Sequence, residues 1–490
     1  HTKAAAGVAG IIKTVLALKH KVLPPSIKVD RPLASIMPGR APIYLNTFLR
    51  PWVSHRDHPR RAAVSAFGFG GSNFHCVLEE SESTKSEPDW SGDIQIVALS
   101  GTSRKLLLEG VRNFRAVLFD ESSEDHRWSR FRRHAYLTRQ AFSQKDSHRL
   151  VMVVSREQIN DQHLFDDFER RLKSQDQIQP WSLSTGAYYG EGDPPGQLAM
   201  LFPGQGSQRC HMLRDLTCQF PSLLERWNQV NRVDGHMEFG SRISDHVYPI
   251  PVFTDTARND QKANLSDTRI AQPVIGAACL GLLDILTDFG VHSDAFAGHS
   301  FGELVALFAG GAYNQTDLLK LAIRRGECMA STCEDDGGML AVATAVDEVQ
   351  RILEAEGVTL TVANHNAPSQ VVLSGTVIAI NKARSIFASH QIRATSLNVS
   401  GAFHSALMEP ATSPFQDTLL SIDMSSVEKP VYSNVTAARY PSSIDQVQRH
   451  LSEQLSSPVR FVEMIRAMYA DGIRTFLEVG PGCVLRGLVG

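Results

Sequence analysis

Ser300 stands in the run Ala297-Gly298-His299-Ser300-Phe301-Gly302-Glu303. A serine hydroxyl is a poor nucleophile at neutral pH and needs a base within hydrogen-bond reach, usually a histidine. A Gly-x-Ser-x-Gly turn between a short apolar run and a helix makes a nucleophile elbow. The glycines leave room for a tight turn, and the hydroxyl projects above the sheet edge. The N-terminal end of the following helix favours negative charge developing nearby. The same residues also fit a glycine-rich strand-to-helix turn with a bystander serine. Of the 18 histidines, His404 is the first choice of base. It lies in Gly401-Ala402-Phe403-His404-Ser405, at the mouth of a turn where loop residues gather. His299 is the next candidate, but it adjoins Ser300 and its side chain is expected to point away from the hydroxyl. An ordinary turn histidine is the other reading of His404.

The elements that must hold these residues alternate strand and helix. Residues 272–289 read as an amphipathic helix, 294–297 as a short apolar strand and 303–309 as the helix after the elbow. Residues 197–202 form a buried-strand pattern ending in Pro203-Gly204-Gln205-Gly206-Ser207-Gln208, whose glycines let backbone N–H groups turn toward a ligand. Residues 318–332 are helical and carry Arg324-Arg325-Gly326. Six pieces follow, at 339–344, 346–356, 360–364, 370–374, 377–391 and 392–397, in the order strand, helix, strand, strand, helix, strand. That order predicts a ferredoxin-like split βαβ inserted in a larger domain. A strand at 431–433, a helix opened by residues 454–461 and a strand and turn at 476–482 close the chain.

The first 82 residues begin with a helix-compatible stretch at 4–18 that stops before Pro24-Pro25. A strand, glycine loop and strand follow at 61–80. That loop lacks the Lys and the following helix of a P-loop, which sets phosphate binding aside. Residues 81–90 are polar and read as a linker. A small α/β unit then ends near Tyr188-Tyr189-Gly190. Its basic cluster, Arg127, Arg130, Arg132, Arg133 and His134, reads first as a solvated helix face, with a surface for an acidic carrier protein as the alternative.

Composition bounds the rest. The 490 residues allow roughly two to four domains. A net charge of −3 argues against nucleic acid as the main partner. Seven cysteines without a CxxC pair fit a reducing, cytoplasmic setting and no metal framework. No apolar run approaches membrane-spanning length. The chain begins without Met and is expected to be a fragment. Four Asn-x-Ser/Thr sequons, at Asn264, Asn314, Asn398 and Asn434, are expected to occur by chance.

In combination these motifs resemble a known family. The loop at 202–208, the elbow at 298–303, Arg324 to Met329, Gly401 to His404 and Glu478 to Gly482 occur in the order found in acyl-CoA:acyl-carrier-protein transacylases of polyketide synthases. His1 to Gly7 and the glycine run at 66–80 resemble the C-terminal end of a ketosynthase of the thiolase fold. His1 would then be a terminal remnant, because the family's reactive cysteine lies in sequence absent here. The α/β unit between them resembles the ketosynthase–acyltransferase linker domain. The implied fold is α/β. A large α/β-hydrolase-like acyltransferase domain (197–490) carries a ferredoxin-like subdomain (337–399). It is preceded by an α/β linker domain (83–196) and a truncated thiolase-fold end (1–82).

The resemblance further implies that Ser300 carries the acyl group as an ester and that His404 is general base and acid. It implies that the N–H groups of Gln205 and Phe301 bind the oxyanion, and that a backbone carbonyl near Gln454 orients the histidine. Arg325 would pair with the free carboxylate of a malonyl-type substrate, a task suited to a planar guanidinium. Arg324 fits a surface helix position. Asn366 would line the acyl pocket, and Phe403 matches the malonyl-selective pattern. No permanently bound cofactor is implied. Coenzyme A thioester, here malonyl-CoA, is the substrate, and the partners are the phosphopantetheine of an acyl carrier protein and the rest of a multidomain synthase, with no nucleic acid and no membrane. The alternatives are a serine esterase or thioesterase, whose fold expects an acidic residue between serine and histidine, and a non-enzymatic docking fragment.

Overall fold

The structure is a computed structural model describing residues 2–38, 42–54, 58–119, 126–160, 162–174, 180–193, 196–233, 242–332, 337–397, 399 and 401–490. His1 lies outside the described residues. The chain forms two compact units: His1–Asp89 with Gln197–Gly490, and Trp90–Gly196.

Helix α1 (Ala6–His20) leads to a hairpin of β1 (Arg61–Phe67) and β2 (Asn73–Glu79), paired antiparallel from Arg61↔Glu79 to Phe67↔Asn73. The sequence reading separates residues 1–82 and sees 81–90 as a linker. The structure instead packs residues 1–89 with 197–490. Val53 belongs to the main apolar cluster, Ser54 donates from both N and Oγ to Asn228 Oδ1 at 2.9 Å, and Arg50 donates to the carbonyl of Tyr248. Within the polar stretch, Lys85 is buried, paired with Asp89 at 2.6 Å and bonded to the carbonyl of Cys218. The rest of the stretch is mostly exposed.

The second unit is an antiparallel sheet with helices. Its strands are β3 (Ile94–Gly101), β4 (His148–Ser155), β5 (Trp181–Leu183) and β6 (Ala187–Glu191), in the order β3-β4-β6-β5. Helix α2 (Arg104–Leu118) shows why this chain forms a helix here. Ser103 caps it by accepting from the Leu106 amide, and Leu107, Val111, Phe114 and Leu118 recur at helical spacing on the buried face. Helices α3 (Arg127–Ala141) and α4 (Gln162–Lys173) complete the unit.

The remaining chain builds the larger sheet. Strand β7 (Gln197–Phe202) is followed, after several helices, by α5 (Thr268–Asp288), then β8 (Ala295–Gly298), α6 (Gly302–Ala309) and α7 (Gln315–Thr332). Contrary to the sequence reading, α5 is long and apolar enough to cross a membrane by length and composition, but most of it is buried in the core of this unit. Its Gly281 admits the backbone of Leu223, where an added Cβ would stand 3.0 Å from Leu223 Cα. Next come β9 (Gly337–Val342), α8 (Val346–Ala355), β10 (Thr361–Ala367), β11 (Gln370–Thr376), α9 (Val377–Ser389) and β12 (Ala394–Ser396). Strand β13 (Val431–Tyr432), α10 (Ile444–Glu453), α11 (Phe461–Ala470) and β14 (Ile473–Glu478) finish the fold.

The larger sheet has the order β13-β8-β7-β14 with every pairing parallel. Parallel strands are covered on both faces, which is why β8 is buried at all four positions. Alternate residues of β7 face opposite cores: Met200 and Phe202 join one apolar cluster, Ala199 and Leu201 another. The smaller sheet has the order β10-β11-β9-β12, all antiparallel, with helices α8 and α9 packed against its own apolar cluster.

Candidate active site

β8 ends at Gly298 and α6 begins at Gly302, so three residues turn the chain from sheet to helix. Contact forces the glycines here. A Cβ on Gly298 would fall 1.9 Å from the Gly302 carbonyl carbon, and one on Gly302 would fall 1.9 Å from the Phe202 oxygen. Ser300 itself adopts φ 53°, a left-handed conformation that costs a non-glycine residue about 1–2 kcal/mol. Asn434, after β13, holds that conformation. The Ser300 amide donates to its Oδ1 at 2.7 Å, and its Nδ2 donates to the Gly298 carbonyl at 2.7 Å. Two buried hydrogen bonds at about 1 kcal/mol each offset a strain of that size.

His404 comes to the same hydroxyl from 104 residues further on, with Nε2 2.7 Å from Ser300 Oγ. Its Nδ1 faces two carbonyl oxygens, Gln454 at 3.0 Å and Ser457 at 3.2 Å. Carbonyls only accept, so the proton sits on Nδ1 and Nε2 is the acceptor for the serine hydroxyl. Burial, with the nearby Arg325 charge, pushes the imidazole pKa down to about 3, so it is neutral at physiological pH. His299 turns elsewhere, with Nε2 2.7 Å from Asn366 Oδ1. Strand β10 delivers Asn366 there, because its end also pairs with the loop after Gln454 through the His365 amide and the Val459 carbonyl at 2.9 Å.

Arg325 enters from the middle of α7. It is fully buried, and its Nη2 lies 2.8 Å from Gln454 Oε1 and 3.5 Å from Ser300 Oγ. Burial lowers its pKa to about 10, which leaves it cationic at neutral pH. Arg324 points outward to Glu327 at 3.1 Å, as expected of the surface member of the pair. Gln205 anchors its side chain on Ser266 O at 3.3 Å and Thr268 Oγ1 at 3.1 Å. The loop before it presses on the elbow, where a Cβ on Gly204 would meet His299 O at 2.5 Å and Ser300 Cβ at 3.4 Å. Phe301 and Phe403 are buried in the main apolar cluster. Among the described residues no group of three or more His, Cys, Asp or Glu could hold a metal.

Sequence reasoning missed two buried residues. One is Asn434, noted only as a chance sequon. The other is Glu303, completely buried in the first turn of α6. Its Oε1 accepts from the Tyr440 hydroxyl, and its Oε2 accepts from the Asn434 amide and from Gln454 Nε2, each at 3.2 Å. Burial raises its pKa to about 7. A signal was present: a single acidic residue opening the otherwise apolar run Leu304-Val305-Ala306-Leu307.

Residues 199–489 match the family described as acyl transferase domain, and residues 1–30 match the C-terminal domain of β-ketoacyl synthase. The chain belongs to the acyl transferase domain family. One polyunsaturated fatty acid synthase chain, from a Thraustochytrium species, is 29% identical over 517 residues, covering 100% of this chain. A phenolphthiocerol-synthesis type I polyketide synthase from Mycobacterium marinum is 32% identical over 503 residues, again covering 100% of this chain. The chain spans only 18% and 22% of those relatives' lengths. Among solved structures, an acyl-carrier-protein-S-malonyltransferase from Bartonella henselae shares 31% identity and a TM-score of 0.54, over 60% of this chain and 91% of that one. The acyltransferase domain of an iterative polyketide synthase in enediyne biosynthesis shares 25% identity and a TM-score of 0.58, over 81% of this chain and 88% of that one. A type II polyketide synthase acyl-carrier protein in complex with its malonyl-transacylase also matches, with 29% identity and a TM-score of 0.54, over 60% of this chain and 92% of that one. An acyltransferase domain following a ketosynthase C-terminal segment, with polyketide synthase relatives, is therefore what this chain contains.

Proposed function

We propose that this acyltransferase domain moves a malonyl-type group from coenzyme A, through an ester on Ser300, to the phosphopantetheine thiol of an acyl carrier protein within a multidomain synthase. One observation carries the reading: a single hydroxyl lies 2.7 Å from His404 Nε2 and 3.5 Å from the Arg325 guanidinium. His404 takes the Oγ proton as Oγ bonds to the thioester carbonyl carbon, and the N–H groups of Gln205 and Phe301 receive the oxyanion. Collapse breaks the C–S bond, and the coenzyme A sulfur leaves with the proton from His404. The carrier thiol then gives its proton to His404 and attacks the ester, and Ser300 leaves as the hydroxyl. Arg325 binds the substrate's free carboxylate, and Phe403 limits the pocket to malonyl over methylmalonyl. The two half-reactions make the exchange ping-pong. The parallel sheet with its elbow supports an α/β-hydrolase-like label, and the β10-β11-β9-β12 order supports a ferredoxin-like one for the smaller sheet.

Thioester hydrolysis is the second reading, favoured by the elbow alone. Against it, His404 Nδ1 is held by two carbonyls where a hydrolase triad uses a carboxylate. Labelling Ser300 from malonyl-CoA and from methylmalonyl-CoA tests the proposal. A malonyl adduct passed on to a carrier thiol is expected. Rapid release of free malonate, or preference for the branched acyl group, contradicts the transfer and the Phe403 assignment respectively.

A further inference from the structure

Behind the serine, histidine and arginine lies a second layer that the transfer chemistry leaves unused. Glu303 receives three donors: the Tyr440 hydroxyl, the Asn434 amide and Gln454 Nε2. Gln454 Nε2 also donates to the Ser300 carbonyl at 2.7 Å, and its Oε1 accepts from Arg325 Nη2 at 2.8 Å. An amide has two orientations about its terminal torsion, and here only one is compatible with the neighbours. With nitrogen toward Glu303 and Ser300, every contact is donor to acceptor. Turned over, the amide oxygen would face a carboxylate and a carbonyl, and the NH2 would face a guanidinium. Glu303 and the Ser300 carbonyl therefore fix the side that Gln454 shows to Arg325.

The spacing has a consequence for specificity. Glu303 and Arg325 are both fully buried with an amide between them, and they carry opposite charges once Glu303 ionises, above about pH 7. A carboxylate in direct contact would occupy the guanidinium fork that a substrate carboxylate needs. The intervening amide is neutral and engages Arg325 through Nη2 alone. Glu303 also sits in the first turn of α6, where the helix dipole favours an acidic group.

We propose that Glu303, acting through the side chain of Gln454, is a positioning residue that holds Arg325 in the pose that reads a substrate carboxylate. The inference rests on the carboxylate-reading role given to Arg325 above. It assigns Gln454 a second task, since its backbone carbonyl holds His404 while its side chain holds the arginine.

The test is the ratio of Ser300 acylation by malonyl-CoA to acylation by acetyl-CoA, followed by intact mass on the full chain. In Glu303→Gln the amide that replaces the carboxylate can pair with either orientation of Gln454. The ratio is expected to fall at least about tenfold, which corresponds to roughly 1.4 kcal/mol. The loss is expected in KM for malonyl-CoA, with kcat for acetyl transfer holding within about threefold. Gln454→Met keeps the backbone carbonyl for His404 but removes the acceptor from Arg325, and is expected to give the same fall. Tyr440→Phe, which removes one donor from Glu303, is expected to give a smaller fall in the same direction. An unchanged ratio in folded Glu303→Gln or Gln454→Met overturns the proposal. If Arg325→Ala collapses the ratio while those two variants keep it, the positioning role is lost and the carboxylate reading stands. If the unaltered chain takes no malonyl group, the proposed function itself falls.

Discussion

Two glycine loops in the same compact unit look alike in sequence and behave differently in space. In the elbow, added Cβ atoms at Gly298 and Gly302 would stand 1.9 Å from backbone atoms. In the β1–β2 hairpin loop, Gly70 and Gly71 have nothing within 4 Å of an added Cβ, and only Gly71, at φ 81°, needs glycine for its conformation. The first loop is packed on every side because a strand, a helix and the loop after β7 converge on it. The second presents its surroundings outward, with Phe67, Phe69 and Phe74 exposed. Glycine spacing alone does not separate a crowded catalytic turn from an open one; the neighbours do.

Substitutions that probe the two loops should part most sharply at Gly302. Gly302→Ala drives a Cβ into the Phe202 carbonyl, so we expect a loss of about 3 kcal/mol or more in denaturant melts and no detectable acylation of Ser300. Gly70→Ala is the matched control, expected within about 0.5 kcal/mol of the unaltered chain. Equal effects at the two positions would remove the distinction.

Arg325→Ala should come next. Losing a charge-assisted contact of about 1.5–3 kcal/mol should let acetyl-CoA compete with malonyl-CoA, shifting their ratio by roughly 10- to 100-fold. Unchanged discrimination would take Arg325 out of the carboxylate role. Asn434→Ala should follow, with about 1–2 kcal/mol lost in melts and slower acylation, because the left-handed turn at Ser300 loses both of its clamps.

The smallest effect expected is one of pH. His404 is held neutral down to about pH 3, so it sets no acid limb near neutrality. Glu303 titrates near pH 7, while Tyr440, Tyr313 and Arg325 around it lose protons only in the alkaline range. Its pKa is raised, so it keeps its proton up to about pH 7 and becomes a pure acceptor for Gln454 above that. The acylation kcat/KM with malonyl-CoA should therefore rise through pH 7 and lose that limb in Glu303→Gln. An identical limb in the variant would assign it elsewhere.

Much of the site was legible because its parts carry distinctive residue patterns. Ser300, His404 and Arg325 each stand in a short motif, and the structure brings all three to one hydroxyl. The structure buries Arg325 beside Ser300 and leaves Arg324 exposed with Glu327, as the reading of Arg324 as a surface residue expected. Asn434 was not legible as a site residue, and Glu303 showed only as a lone acid opening an apolar run. Their roles depend on which donors and acceptors the fold brings to them from β13, α6 and the residues after α10, and no local pattern encodes that. Polarity described residues 81–90 well as a mostly exposed connection ending where the two units divide, but it did not show that Lys85 is buried and bonded to the carbonyl of Cys218. The smaller sheet was readable as an order of elements, but the bond between its last β10 residues and Val459, which sets Asn366 beside His299, was not.

The most direct measurement is intact mass of the chain after incubation with malonyl-CoA, followed by addition of a phosphopantetheinylated carrier protein. The account predicts one malonyl adduct on the unaltered chain, none on Ser300→Ala, and passage of that adduct to the carrier thiol. No adduct on the unaltered chain, or an adduct that survives Ser300→Ala, would contradict it.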